Sequence, residues 1–160
     1  MHQEYRKGKY LISTDLSKLD LEMIYTFLSK SYWAEGIPKE TVLRSIRYSL
    51  PFGIYHDRKQ IGFARVISDF STYAYISDVF LLESYRGKDI STWLLKCILQ
   101  HPELQGLRRW NLYTSNAAGF YRKMGFSKLK FPERYLEMYD PNVYKRKPIV
   151  RKSKKHPKSI

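Results

Sequence analysis

Apolar residues along this chain change period several times, and each change marks a boundary between elements. Residues 10–12 form a short apolar β segment. Ser17 and Asp20 have the spacing of a capping box, and Leu19, Met23 and Phe27 follow at helical intervals, which predicts a helix over residues 17–30. Pro38 suits a first helical turn, and Val42, Leu43, Ile46 and Leu50 make a stripe that stops at Pro51, so a second helix is expected over 38–49. Residues 52–55 and 61–67, on either side of a polar turn, read as an antiparallel pair, and 73–82, rich in aromatic and branched residues, as the third strand of a meander.

After Arg86 the period turns helical: Ile90, Trp93, Leu94, Cys97, Ile98 and His101 share one face, and Pro102 ends the run. Residues 109–114 then read as a strand. Ala117, Phe120, Tyr121 and Met124 line one side of a short helix that Gly125 stops, and residues 135–139 supply a last strand. The resulting order, β-α-α-β-β-β-α-β-α-β, has no internal repeat or linker and indicates one mixed α/β (α+β) domain.

Charge adds a second feature. Against 15 acids stand 29 Lys and Arg, a net +14, and eight of those cations (Lys145, Arg146, Lys147, Arg151, Lys152, Lys154, Lys155 and Lys158) crowd the last sixteen residues. The expectation is therefore a domain over residues 1–144 and a basic tail over 145–160. Burial cannot offset the entropy of ordering so polar a tail, so it is expected to be disordered. Two roles stay open for it: a solubilising terminus, or transient contact with nucleic acid or an acidic partner.

The chain has a single cysteine, Cys97, which excludes an intrachain disulfide and a cysteine-rich metal site. His56 and His101 form no HxxxH or HExxH pattern, so no metal is expected. Neither a GxSxG nucleophile elbow nor a GxxxxGK loop is present. No apolar run approaches the roughly 20 residues that span a bilayer, so no membrane contact is expected and a reducing cytoplasm is the expected compartment.

The chemistry concentrates in residues 79–126. A strand that runs into a basic loop and then a helix offers free backbone N–H groups and the positive end of a helix dipole, an arrangement suited to a pyrophosphate. Here the strand ends in Val79, Phe80 and Leu81, and the loop reads Arg86, Gly87, Lys88, Asp89, Ile90, Ser91. With its flanks this loop resembles the acetyl-CoA loop of the GNAT superfamily of N-acetyltransferases, Q/RxxGxG/A. Arg86 takes the first position, while Asp89 stands where glycine is usual and Ser91 where glycine or alanine is usual. A carboxylate facing a pyrophosphate would repel it, so Asp89 is expected to cap the helix with its side chain turned away.

The stretch from Ala117 through Phe120 and Tyr121 to Gly125 and Phe126 is similar to the family's closing segment, AxxF/LYxxxGF. Arg108, Arg109 and Trp110 before it, and Pro132, Glu133 and Arg134 after it, resemble one group of small bacterial acetyltransferases, and the likeness covers residues 10–140. The resemblance implies a mostly antiparallel central sheet flanked by helices, splayed so that Val79, Phe80 and Leu81 pair with the pantetheine arm of acetyl-CoA. It implies that Arg86 to Ser91 hold the pyrophosphate, that Ala117 and Phe120 line the cofactor, and that Tyr121 assists departure of the thiolate. Packing alone is the other reading of Tyr121, which lies on an apolar stripe.

Direct attack by an amine requires its neutral form, so a base or water chain is expected. Asp78, Asp69 and Glu35 are the candidates, with Asp78 nearest the thioester in sequence and a paired or capping carboxylate the competing role. The resemblance implies that the region between the first two helices, here Tyr32, Trp33 and Glu35, selects the substrate together with the later strands. The expected activity is acetyl transfer to a primary amine of a small molecule, with a homodimer possible. The alternative is an acyl-CoA or polyanion-binding module with little or no catalysis.

Overall fold

In the computed structural model, which describes residues 2–147, the chain begins with a hairpin that the apolar pattern does not announce. β1 (Glu4–Lys7) pairs antiparallel with β2 (Tyr10–Ser13), and Gly8, at φ 58°, takes the left-handed conformation that the tight connection requires. Tyr5 is the only apolar residue of β1, so no alternation marks it.

The predicted capping box is replaced by two separate caps. Asp15 accepts from the Ser17 N–H at 2.9 Å and starts a short 3-10 turn, Leu16–Lys18. Asp20 accepts from the Met23 N–H at 3.0 Å and starts α1 (Leu21–Leu28), so the helix begins four residues later than the spacing predicts. α2 (Lys39–Arg47) follows Pro38 as expected.

β3 (Leu50–His56), β4 (Lys59–Ser68) and β5 (Tyr73–Leu81) form the antiparallel meander. α3 (Ile90–Leu99) carries the chain across to β6 (Arg109–Leu112), which lies parallel to β5, and α4 (Ala118–Lys123) follows. The six strands stand in sequence order across one mixed, mostly antiparallel sheet.

The expected last strand over 135–139 is not formed. A 3-10 turn at Pro132–Arg134 leads the chain past the edge of β6, and Leu136 and Met138 are 96% and 102% exposed. The order is thus β-β-α-α-β-β-β-α-β-α.

Each face of the sheet has its own core. α3 places Leu94, Leu95, Cys97 and Ile98 against Ile12, Phe52, Ile54 and Ile61, with Tyr121 of α4 in the same cluster. On the other face Ile24 and Leu28 of α1 and Val42 and Ile46 of α2 cover Phe63 and Phe80. Each such apolar side chain contributes about 1.5–3 kcal/mol by leaving water. Gly62 keeps β4 close to β5, because a Cβ there would stand 2.6 Å from both the Phe80 carbonyl oxygen and the Leu81 side chain.

Among the described residues no helix is long and apolar enough to cross a membrane, and no His/Cys/Asp/Glu group has the arrangement of a metal site. Order reaches into the segment read as tail: Val143–Lys145 forms a 3-10 turn and Arg146 pairs with Asp140 at 2.7 Å. Residues 148–160, with the rest of the basic run, lie outside the described residues.

Candidate active site

β5 has two differently occupied edges. On one it pairs with β4 as far as Leu81; on the other it pairs with β6 only through residues 73–76. The β6-side backbone of residues 77–81 is therefore left without a strand partner, as the resemblance implies for Val79, Phe80 and Leu81. The cause is local. The register of β4 on β5 shifts between Phe63 and Arg65, and Asp78 opposite takes φ 54°, a left-handed conformation that Asp tolerates better than most residues. Phe80 points into the α1 side and stacks on Phe27 with ring centroids 3.7 Å apart, while Leu81 and Val79 pack on the α3 side.

The loop after β5 is tightly held. Leu82 N–H donates to the Ile61 carbonyl at 2.8 Å, a 3-10 turn spans Glu83–Tyr85, and Arg86 Nε folds back to donate to the Leu81 carbonyl at 3.2 Å. Lys88 Nζ lies 5.5 Å from the centre of the Tyr85 ring. Gly87 and Asp89 have φ of 74° and 56°, and α3 opens at Ile90, which is buried, and Ser91. The first N–H groups of α3 have no acceptor within the helix and face the loop.

Asp89 does not cap the helix as expected. Its exposed side chain makes no capping hydrogen bond, and its backbone takes the left-handed conformation that glycine adopts most readily. The loop at this position thus keeps a glycine-like path although its residue is Asp.

α4 sets the other wall. Thr114 Oγ1 accepts from the Ala117 N–H at 3.0 Å and fixes the entry to the helix, and Gly125, at φ 96°, closes it. Tyr121 is 9% exposed and meets Phe120 and Phe126 edge-on, with centroids 5.0 and 6.0 Å away. Its hydroxyl has no hydrogen-bond partner among the described residues. Burial pushes the phenol pKa above the ordinary tyrosine value, and the Tyr32 phenol adds to the shift. Ala117 and Phe120 are half-buried beside Tyr121.

On the α1 side Asp78 is fully engaged. Its Oδ1 accepts from Trp33 Nε1 at 3.1 Å and its Oδ2 from Arg65 Nε at 2.5 Å, while Arg65 Nη2 also donates to Ser77 Oγ at 3.3 Å. Asp78 thereby ties the loop between α1 and α2 to the bulge in β5. Its side chain is 10% exposed and that of Arg65 14%. Tyr144 packs nearby; burial raises its pKa and the Asp78 charge raises it further. Phe27, Tyr32, Trp33 and Leu82 line an adjoining cleft of about 590 Å³.

The structure therefore brings Asp78, Trp33 and Tyr32 together on the α1 side, near Phe80, while Val79, Leu81 and Tyr121 share the α3-side core. Glu35 is exposed and joins none of the described hydrogen bonds or ion pairs. Asp69 is committed to its own turn, where it accepts from the N–H groups of Ser71, Thr72 and Tyr73 and from Thr72 Oγ1 at 2.6 Å; these donors hold its carboxyl well below the usual range.

Sequence reasoning missed Phe27 as a site wall, Arg65, Ser77 and Tyr144. Arg65 carried a signal, a lone cation within the apolar strand 61–67, but its pairing with Asp78 follows only from the register of β4 on β5.

Comparisons with known proteins identify the family and the fold. The family model for the acetyltransferase (GNAT) domain matches residues 48–128. A crystal structure from Xanthomonas campestris pv. campestris, of a protein assigned to the GNAT family, superposes with a TM-score of 0.84 at 44% identity, covering 88% of this chain and 100% of that one. FG08082 of Gibberella zeae, provisionally named as an acetyltransferase, is 29% identical over 76% of this chain and 80% of its own length. More distant in sequence is a GNAT family acetyltransferase from Elizabethkingia anophelis with acetyl-CoA bound, at 16% identity and a TM-score of 0.59, covering 86% of this chain and 92% of that one. The matched segment holds the splayed strand, the loop and the closing helix described above, and the chain belongs to the GNAT acetyltransferase family.

Proposed function

We propose that this protein transfers the acetyl group of acetyl-CoA to a primary amine of a small molecule, by direct attack within a ternary complex. The observation that carries the proposal is the backbone of residues 77–81, left without a strand partner where β5 and β6 part and followed by the loop and the start of α3. Bound acetyl-CoA in the Elizabethkingia structure, which shares the fold, supports the choice of donor.

Acetyl-CoA fits the residues present. The partnerless backbone of residues 77–81 offers hydrogen bonds to the pantetheine amides, and an N–H there polarises the thioester carbonyl. Gly87, Lys88, Asp89, Ile90 and Ser91, with the start of α3, offer N–H groups and positive charge to the pyrophosphate. Arg86 contributes differently: it braces the loop against the Leu81 carbonyl.

In the reaction the neutral amine attacks the thioester carbon, a C–N bond forms, the C–S bond breaks, and the proton lost by the amine ends on the sulfur. Tyr121 stays protonated through the neutral range because burial raises its pKa. It therefore donates a hydrogen bond to the departing thiolate, whose own acid has an unperturbed pKa of about 8.5. Both oxygens of Asp78 are already taken by donors, an arrangement that favours positioning the acceptor loop over abstracting a proton. Cys97 is buried and its pKa is pushed up to about 11, so it remains a thiol and supports direct transfer over an acetyl-cysteine route.

A panel of amines, polyamines, amino acids and aminoglycosides, assayed for free CoA release, tests the proposal. An acceptor-dependent rate is expected. Failure of every primary amine in the presence of bound acetyl-CoA favours the alternative of a binding module, for which Asp89 and the basic terminal run are the motivating residues.

A further inference from the structure

Aromatic rings form a ladder from the solvent to β5. Tyr32 meets Trp33 edge-on with centroids 5.0 Å apart, Trp33 lies 6.3 Å from Phe27, and Phe27 stacks on Phe80 at 3.7 Å. Phe80 is buried in the strand, whereas Trp33 and Tyr32 are 41% and 60% exposed. The outer half of the ladder is thus an apolar surface that no protein element covers.

This ladder is one wall of the cleft of about 590 Å³, which Met23 and Thr26 of α1 and Leu82 after β5 complete. Its volume suits a small molecule. Polar atoms of the wall are turned to the protein: Trp33 Nε1 donates to Asp78, and Ser31 Oγ donates to the Leu28 carbonyl at 2.7 Å. What faces the cleft is mainly ring surface and aliphatic carbon.

Charges at the mouth narrow what such a surface accepts. Asp20 is held by the Met23 N–H that it caps, Glu22 pairs with Lys39, and Lys30 pairs with no acid among the described residues. The two acids and two cations cancel. Asp78, behind Trp33, is neutralised by Arg65. A second ammonium group on the ligand would therefore meet no free carboxylate, and a chain of net charge +14 repels a polycation as a whole. A single ammonium group needs no counter-charge here, because the faces of Trp33 and Tyr32 attract a cation themselves.

We infer that the cleft is an acceptor subsite for monoamines with an aromatic or comparably apolar body, of the phenylethylamine class, and that it discriminates against polyamines and aminoglycosides. The inference rests on the acetyl-transfer reading for its chemistry, though not for its binding. The inner end of the ladder is Phe80, whose backbone belongs to the stretch proposed to hold the thioester, so an amine at that end of the body is directed to the donor. There the nitrogen takes the acetyl group as the C–S bond breaks, and the proton it loses ends on the CoA sulfur.

Two readouts keep this inference separate from the reading beneath it. The first is steady-state kinetics with acetyl-CoA, compared at equal concentrations of neutral amine. There kcat/KM for phenylethylamine should exceed that for ethylamine and for spermidine by at least about tenfold. Tyr32→Ala, with its fold checked by circular dichroism, should cut the advantage over ethylamine by at least about threefold. The second is calorimetry with CoA present and no turnover, in which phenylethylamine should bind saturably, spermidine should not, and Tyr32→Ala should weaken the binding. Spermidine or an aminoglycoside acetylated as efficiently as phenylethylamine overturns the inference and leaves acetyl transfer standing. An advantage indifferent to Tyr32→Ala overturns it as well. If no amine is acetylated, the acetyl-transfer reading fails and calorimetry alone decides the cleft: binding that Tyr32→Ala weakens supports it, and absence of binding overturns it. Displacement of phenylethylamine by CoA also overturns it, because the cleft then belongs to the donor.

Discussion

Tyr121 is the residue at which packing and the proposed chemistry meet. Its ring fills the α3-side core against Phe120 and Phe126, while its hydroxyl makes no hydrogen bond among the described residues. Tyr121→Phe keeps the ring and removes only the donor. It should lower kcat by about 10²- to 10⁴-fold and leave the acetyl-CoA Kd nearly unchanged, as measured by steady-state kinetics and calorimetry. Equal turnover would assign Tyr121 to packing alone. Asp89 offers a second test at this scale, because it holds a glycine-like φ of 56° with no capping bond in return. Asp89→Gly should tighten acetyl-CoA roughly threefold to tenfold by removing a negative charge near the pyrophosphate, with stability changed by less than about 1 kcal/mol. A weaker complex would mean that the carboxylate has a positive role. Tyr121 was legible from its stripe and its spacing to Gly125 and Phe126. The conformation of Asp89 was not, because a left-handed φ is a property of the backbone that the residue's identity does not announce.

Among elements, the junction of β4 and β5 is central to the proposed site. The bulge near Phe63 and Arg65, the left-handed Asp78 and the close approach at Gly62 all lie where β5 runs on past its pairing with β6. Gly62→Ala would drive a methyl group into the Phe80 carbonyl and the Leu81 side chain. It should cost about 1–3 kcal/mol in urea unfolding and weaken acetyl-CoA binding as well, since the displaced residues are those proposed to hold the thioester. A variant of unchanged stability and affinity would show that the strands relax freely. Much at this scale could be read from periodicity: the meander, α2, α3 and α4 fall where the apolar stripes put them. β1 could not, since Glu4–Lys7 gains its place from backbone pairing with β2 rather than from apolar burial. Residues 135–139 have the pattern of a strand and lack a partner within the chain, a failure of context rather than of propensity. The Arg65–Asp78 pair lies 13 residues apart, and only the register of β4 on β5 brings the two together.

For the molecule as a whole, the proposed site draws on both faces of the sheet: α4 and α3 on the proposed donor side, and the α1–α2 loop with Tyr144 on the proposed acceptor side. This division predicts a pH dependence. An alkylamine of pKa about 10.4 is only about 0.04% neutral at pH 7, so kcat/KM should rise close to tenfold per pH unit between about pH 6 and 9. Tyr121 should impose no fall below about pH 10, because burial moves its pKa upward from the ordinary value and the donor form persists on the acid side. A plateau below pH 8, independent of the amine's own pKa, would instead identify a protein base.

Direct titration of the full chain with acetyl-CoA in a calorimeter tests the central claim most simply. The account predicts saturable one-to-one binding in the micromolar range, weakened by Gly62→Ala and retained by Tyr121→Phe. Absence of binding at millimolar acetyl-CoA would contradict it.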